Sequence, residues 1–153
     1  MKYHHHMAER FDTALDRMLE VVVLFDHDMR STLAARGLSI SRAHLLWEIH
    51  RRGPLSQREL AQALQVTPRN ITGLVDGMAA DGFVLRGPDP ADRRISRVSL
   101  TPRGVSTAEE MRAEQQELGR TLFGTMPADT LDGLVRGLDQ VLATLRPLID
   151  RST

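Results

Sequence analysis

The stretch 55–104 constrains the fold most, because its hydrophobic period changes from helical to strand-like within a short span. Leu60, Ala61 and Leu64, then Ile71, Leu74, Val75 and Met78, recur at helical spacing, the second set at i, i+3, i+4 and i+7. Ser56 and Glu59 have capping-box spacing and start the first helix, while Thr67 as N-cap and Pro68 at the first helical position start the second. Only the turn Gln65-Val66 separates them. Residues 83–86 and 97–100 then read as two short strands around the turn-rich Gly87-Pro88-Asp89-Pro90-Ala91-Asp92. The pattern predicts a winged helix-turn-helix: two helices meeting at a tight turn, followed by a hairpin wing.

The flanks are helical. Phe11, Leu15, Met18, Val22, Phe25 and Met29 step by four and three across 8–36, a heptad-like stripe. Leu19, Val21, Val23 and Leu24 widen that stripe beyond what one neighbouring helix would cover, so this helix is expected to touch a second chain as well as its own. Gly37 caps its C-terminus. A second helix runs from about residue 40 to 51, with Ser39 or Ser41 as N-cap and Leu45, Leu46 and Ile49 inward, and stops at Gly53-Pro54. Thr101 and Pro102 begin a long helix to about Phe123. An amphipathic helix follows from about 128 to 146, with Leu131, Leu134, Val135, Leu138, Val141, Leu142 and Leu145 on one side. The expected class is mainly α with a small β-hairpin wing. A single domain over 8–150 carries a winged lobe at 38–104 and dimerisation helices at 8–36 and 105–150. Residues 1–7, Met-Lys-Tyr-His-His-His-Met, read as a tag remnant.

Net charge is zero over 153 residues, yet its placement is uneven. Residues 42–104 hold ten arginines against six acids, whereas both flanks are net acidic. A central basic module presents a local positive field to phosphate that the total hides. With no cysteine, the chain lacks disulfides, thiolate metal sites and thiol redox chemistry, which points to a reducing compartment. Nothing reads as a signal peptide or membrane span, so a cytoplasmic location is expected. No cofactor is expected. Phosphate-binding glycine loops, metal-ligand spacings and nucleophile motifs are missing from the sequence, so an enzyme is not expected.

The second helix of the pair is the candidate DNA-reading element. Its N-terminal turn carries free backbone N–H groups and a partial positive charge, and a helix fits the major groove of duplex DNA. Thr67, Pro68, Arg69, Asn70, Thr72 and Gly73 occupy that end, with Ser56 and Gln57 at the start of the preceding helix. Arg69 has the bidentate fork for guanine O6 and N7, and Asn70 suits adenine. Gly73 either permits close approach to DNA or relieves crowding. At about 100° per residue Asp76 points the same way and would repel phosphate unless an arginine pairs with it. On the wing, Arg93, Arg94 and Arg97 with Asp92 form a compact cationic set suited to phosphate forks and narrow minor grooves. A solvated charged hairpin is the plainer alternative, as is a winged helix that contacts proteins without DNA. His27, His44 and His50 lack metal-ligand spacing and are expected to be ordinary polar residues.

The order of elements from Ala8 to Asp150 resembles the MarR (multiple antibiotic resistance regulator) family of bacterial winged-helix transcription factors. The most specific match is Asp92-Arg93-Arg94 followed by Val98-Ser99-Leu100-Thr101-Pro102-Arg103-Gly104, similar to the family's wing signature of Asp, Arg and a terminal Leu-Thr-x-x-Gly. A departure is Gln65, where the family often has glycine. A left-handed conformation there would cost about 1 to 2 kcal/mol. The resemblance implies a homodimeric regulator, most often a repressor, on an inverted-repeat duplex of roughly 16 to 20 base pairs, with half-sites one helical turn apart. It also implies that Arg94 enters the minor groove, with Asp92 orienting a neighbouring arginine. Finally it implies a small anionic or aromatic effector bound between dimerisation helices and lobe, where Phe25, Met29, His44 and Trp47 are candidates. The plainer reading of Trp47 is as core.

Overall fold

The structure, a computed structural model, describes residues 2–150, with side chains described over 6–149. In chain order the elements are α1 (Lys2–Ala34), α2 (Ile40–Arg52), β1 (Leu55–Ser56), α3 (Gln57–Leu64), α4 (Pro68–Ala80), β2 (Val84–Pro88), β3 (Ser96–Leu100), α5 (Pro102–Phe123) and α6 (Ala128–Asp150). Two compact units divide between Ala108 and Glu109. The first contains the lobe. The reading of 1–7 as a tag falls partly outside the described residues, and α1 begins at Lys2 rather than at residue 8.

Capping chemistry places the helices of the lobe. Ser39, not Ser41, is the N-cap of α2, its hydroxyl accepting from the Arg42 N–H at 3.2 Å. Ser56 and Glu59 close the reciprocal capping box of α3, and Thr67 caps α4 ahead of Pro68. Three helix ends share one closure, in which the residue past the cap turns left-handed and two backbone bonds tie back into the last turn. After α1, the Leu38 N–H bonds Leu33 O and Gly37 N–H bonds Ala34 O. After α4, Phe83 bonds Met78 O and Gly82 bonds Ala79 O. After α3, Val66 bonds Ala61 O and Gln65 bonds Gln62 O. Gly37 and Gly82 have φ of 70° and 80°, and Gln65 adopts φ 54° without being glycine. The apolar pairs Leu33 with Leu38 and Met78 with Phe83, all buried, seal two of these joints.

The sheet has the order β1-β3-β2, antiparallel throughout. β1 was not expected: Leu55 and Ser56 pair with Val98 and Arg97, a two-residue strand too short to show alternation and read instead as the entry to α3. The wing strands extend further toward the tip than 83–86 and 97–100, because Gly87 and Pro88 still pair with Arg97 and Ser96. The core lies where α2, α3, α4 and the sheet meet, with Leu45, Leu46, Leu60, Val75, Met78 and Val98 fully buried. Leu64 and Leu74, expected inward, are only half-buried.

The start of α5 is locked to the end of α4. Thr101 Oγ1 donates to Gly82 O at 2.6 Å and accepts from Gly104 N–H at 3.0 Å, while the Thr101 N–H bonds Phe83 O. A Cβ on Gly104 would overlap that same Phe83 carbonyl oxygen. These contacts explain the spacing Leu-Thr-x-x-Gly in physical terms. The helix α6 continues through Pro147 to Asp150 instead of stopping near 146. A proline inside a helix removes one backbone bond and crowds the carbonyl four residues back, here that of Ala143, yet the helix runs on for three more residues.

Candidate nucleic-acid interface

The N-terminal half of α4 is open on one side. Ile71, Val75 and Met78 are buried, which turns Arg69, Asn70, Thr72, Gly73 and Asp76 outward, all exposed together with Thr67 and Pro68. Nothing lies within 4 Å of a Cβ built on Gly73, so crowding does not explain the glycine. Thr67 accepts from the Asn70 N–H at 3.2 Å, and Thr72 Oγ1 donates to Pro68 O at 2.9 Å. The Arg69 and Asn70 side chains project from a first turn that is fixed by its own cap.

On the wing, Arg94 is held by a fork. Its Nε and Nη2 donate to the two carboxylate oxygens of Asp92 at 3.1 and 3.2 Å, and its backbone N–H also bonds Asp92 Oδ1. The side chain is 90% exposed. Hydrogen bonds from Arg94, side chain first and backbone second, hold the Asp92 carboxyl below its ordinary range. Arg93 is exposed beside it.

Arg97 is differently placed. It turns inward, donating through Nε to the buried Asp89 and through Nη1 to Glu59 Oε1 and Pro54 O, both at 3.3 Å. Asp89 in turn accepts from the Ala91 N–H at 2.7 Å. Arg97 thus ties the wing turn to α3 and to the loop before β1. The Arg97 hydrogen bond, followed by that of Ala91, lowers the Asp89 carboxyl, and Arg97 itself is raised in return. At Glu59, burial pushes the carboxyl up, but bonds from Ser56 and the charges of Arg97 and Arg52 outweigh it, for a net lowering.

Sequence reasoning missed the role of Arg86. From β2, Arg86 donates through Nε to Gln57 Oε1 at 2.9 Å and through Nη2 to Asp76 Oδ1 at 2.5 Å. Gln57 donates onward to Thr72 Oγ1 at 3.1 Å. Asp76, which pointed the wrong way for a phosphate-facing helix, is therefore paired. The same holds across the lobe, since all six acids of 42–104 contact an arginine: Glu48 with Arg51 and Arg52, Glu59 with Arg52 and Arg97, Asp76 with Arg86, Asp81 with Arg42, Asp89 with Arg97, and Asp92 with Arg94. Outside these pairs stand Arg58, Arg69, Arg93 and Arg103. Arg103 lies 4.3 Å over the Phe83 ring and caps α4 by bonding Asp81 O, which leaves Arg58, Arg69 and Arg93 to carry the outward charge. The signal was present as a regional charge count but not as partners.

The effector candidates are scattered in environment. Phe25 and Met29 are 38% and 43% exposed on α1, His44 is exposed 3.8 Å from the buried Glu48, and Trp47 is half-buried against His50 with ring centroids 6.1 Å apart. Among the described residues no three His, Asp or Glu side chains gather where a metal ion would sit, and no helix is long and apolar enough to cross a membrane.

Comparison with known proteins bears on this geometry. Residues 38–96 match the model of the MarR family. The chain is 36% identical over 98 residues to the HTH-type transcriptional repressor YetL of Bacillus subtilis (strain 168), covering 61% of this chain and 57% of that protein. It is 27% identical over 124 residues to the HTH-type transcriptional repressor IacR of Pseudomonas putida, covering 81% and 74%. The chain thus spans little more than half the length of YetL. In fold it is similar to Streptococcus pneumoniae FabT in complex with DNA, with a TM-score of 0.77 at 18% identity over 92% of this chain and 98% of the other. It is also similar to Staphylococcus aureus MepR, with a TM-score of 0.69 at 20% identity over 87% and 97%. With the winged lobe in place and the Leu-Thr-x-x-Gly joint accounted for, the chain is similar to the MarR family over residues 38–96.

Proposed function

We propose that the protein is a sequence-specific regulator of transcription that binds duplex DNA as a homodimer on an inverted repeat. The observation that carries this reading is the open first turn of α4 beside an arginine-tipped wing, in a lobe whose acids are all paired. Arg69 and Asn70 read base edges in the major groove, Thr67 and Thr72 position the helix on the backbone, and Gly73 lets the duplex approach. Asp92 holds Arg94 for the minor groove, and Arg93 meets phosphate. Arg58, exposed in the first turn of α3 beside Ser56 and Gln57, joins them. Arg97 serves the wing as a strut rather than as a contact. Relatives named as repressors and a FabT structure in complex with DNA support repression by DNA binding, in the cytoplasm and without catalysis.

The second copy is supported by apolar surface. Phe11, Leu15, Leu19 and Val22 on α1, and Val135, Leu138, Leu142 and Leu145 on α6, are 41 to 64% exposed, far more than scattered surface apolar residues require. A small anionic or aromatic effector near Phe25, Met29, His44 and Trp47 would weaken DNA binding by favouring a different lobe spacing. Selection from a random duplex pool tests the core of this reading: a symmetric consensus is expected, lost in the double variant Arg69→Ala, Arg94→Ala while the protein stays folded and dimeric. Unchanged duplex affinity in that variant would show that the contact surface is misassigned.

A further inference from the structure

The exposed face of α4 carries an acid, Asp76, three residues past Gly73, where approaching phosphates would meet it. Arg86 reaches it from a different element, β2, and with its other nitrogen grips Gln57 at the start of α3. Gln57 is thereby oriented with its oxygen toward Arg86 and its amide nitrogen toward Thr72 Oγ1, whose own proton goes to Pro68 O. One planar guanidinium therefore links α3, α4 and the base of the wing. The Arg86 and Asp76 side chains are 34% and 61% exposed, and exposed pairs of this kind add little to folding stability. The network leaves the fold nearly indifferent and the charge of the α4 face strongly changed. We propose that Arg86 is a positioning residue for DNA recognition, which masks the Asp76 carboxylate and orients Gln57 and Thr72, rather than a phosphate contact itself. This inference rests on the DNA-binding reading above. Lysine would not substitute, because a single ammonium cannot hold Gln57 and Asp76 in the same fork.

The test is a double-mutant cycle on the full chain, with affinity measured for the selected duplex and for a scrambled one. Arg86→Ala is expected to lower affinity for the selected duplex by about tenfold or more, a typical cost for a close like-charge juxtaposition. Asp76→Asn should recover most of that loss in the Arg86→Ala background while changing the parent little. Arg86→Lys should keep affinity for the scrambled duplex yet lose discrimination between the two, and it carries the test if Arg86→Ala does not fold. Melting temperature should stay within a few degrees across the set. Equal gains from Asp76→Asn in both backgrounds would mean that Arg86 contacts phosphate on its own account, and no loss in either arginine variant would mean that it does not matter for binding. Both results overturn the proposal. A parent protein that binds neither duplex would instead sink the DNA-binding reading on which it stands.

Discussion

Gln65 sits at φ 54° and ψ 47°, where a side chain strains against its own carbonyl and glycine does not. Its N–H still bonds Gln62 O, so the turn keeps its closure despite the residue. Gln65→Gly relieves about 1 to 2 kcal/mol of strain against about 0.5 to 1 kcal/mol of added chain entropy in the unfolded state, so a gain of up to about 1.5 kcal/mol is expected as a rise in melting temperature. The opposite sign holds at Gly104, whose missing Cβ makes room for the Phe83 carbonyl. There Gly104→Ala should cost about 1 to 3 kcal/mol, since rigid backbone rather than a flexible side chain must yield, and thermal unfolding checks it. Both positions were visible in the sequence. The departure from glycine at Gln65 identified the first, while the second needed the structure to show what the glycine avoids.

Among the elements, the turn of the wing is tied down through carboxylates. Asp89, Asp92 and Glu59 all titrate below their ordinary values because arginines and backbone N–H groups bond their charged forms. A carboxyl lowered in the folded state stabilises above its unfolded pKa and loses that contribution as pH falls through the folded value. The wing's tie to α3 should therefore hold at neutral pH and weaken below about pH 4. Asp89→Asn should lower the melting temperature at pH 7 and flatten its decline toward pH 3; an equally steep decline in the variant would locate the acid sensitivity elsewhere. Helices were legible because their signals are local: caps, helical spacing and Pro68 all lie within a few residues of one another. The strand β1 and the Arg97 strut were not, because Leu55 meets Val98, and Arg97 meets Pro54 and Glu59, across about forty residues of chain.

For the whole molecule, zero net charge conceals a lobe in which six acids meet six arginines and the excess is left on a few side chains. Regional counting found the excess and looked to Arg69 and the wing arginines for it, but did not separate paired from unpaired side chains, since partners such as Arg86 with Asp76 depend on tertiary placement. Salt dependence follows the unpaired set. The logarithm of affinity should fall with the logarithm of salt by about 0.9 per phosphate neutralised, and Arg58→Ala should shallow that slope by about one per subunit while leaving sequence preference intact. Val22→Glu on α1 should shift sedimentation toward the monomer and weaken duplex binding, by placing a charge on the exposed apolar stripe. The three matched helix closures have a consequence for divergence. Joints fixed by paired backbone bonds tolerate no added or missing residue, whereas the outward side chains of the first turn of α4 hold nothing in place. Descendants of this chain are thus free to exchange target preference through a handful of substitutions there, while connector lengths stay frozen.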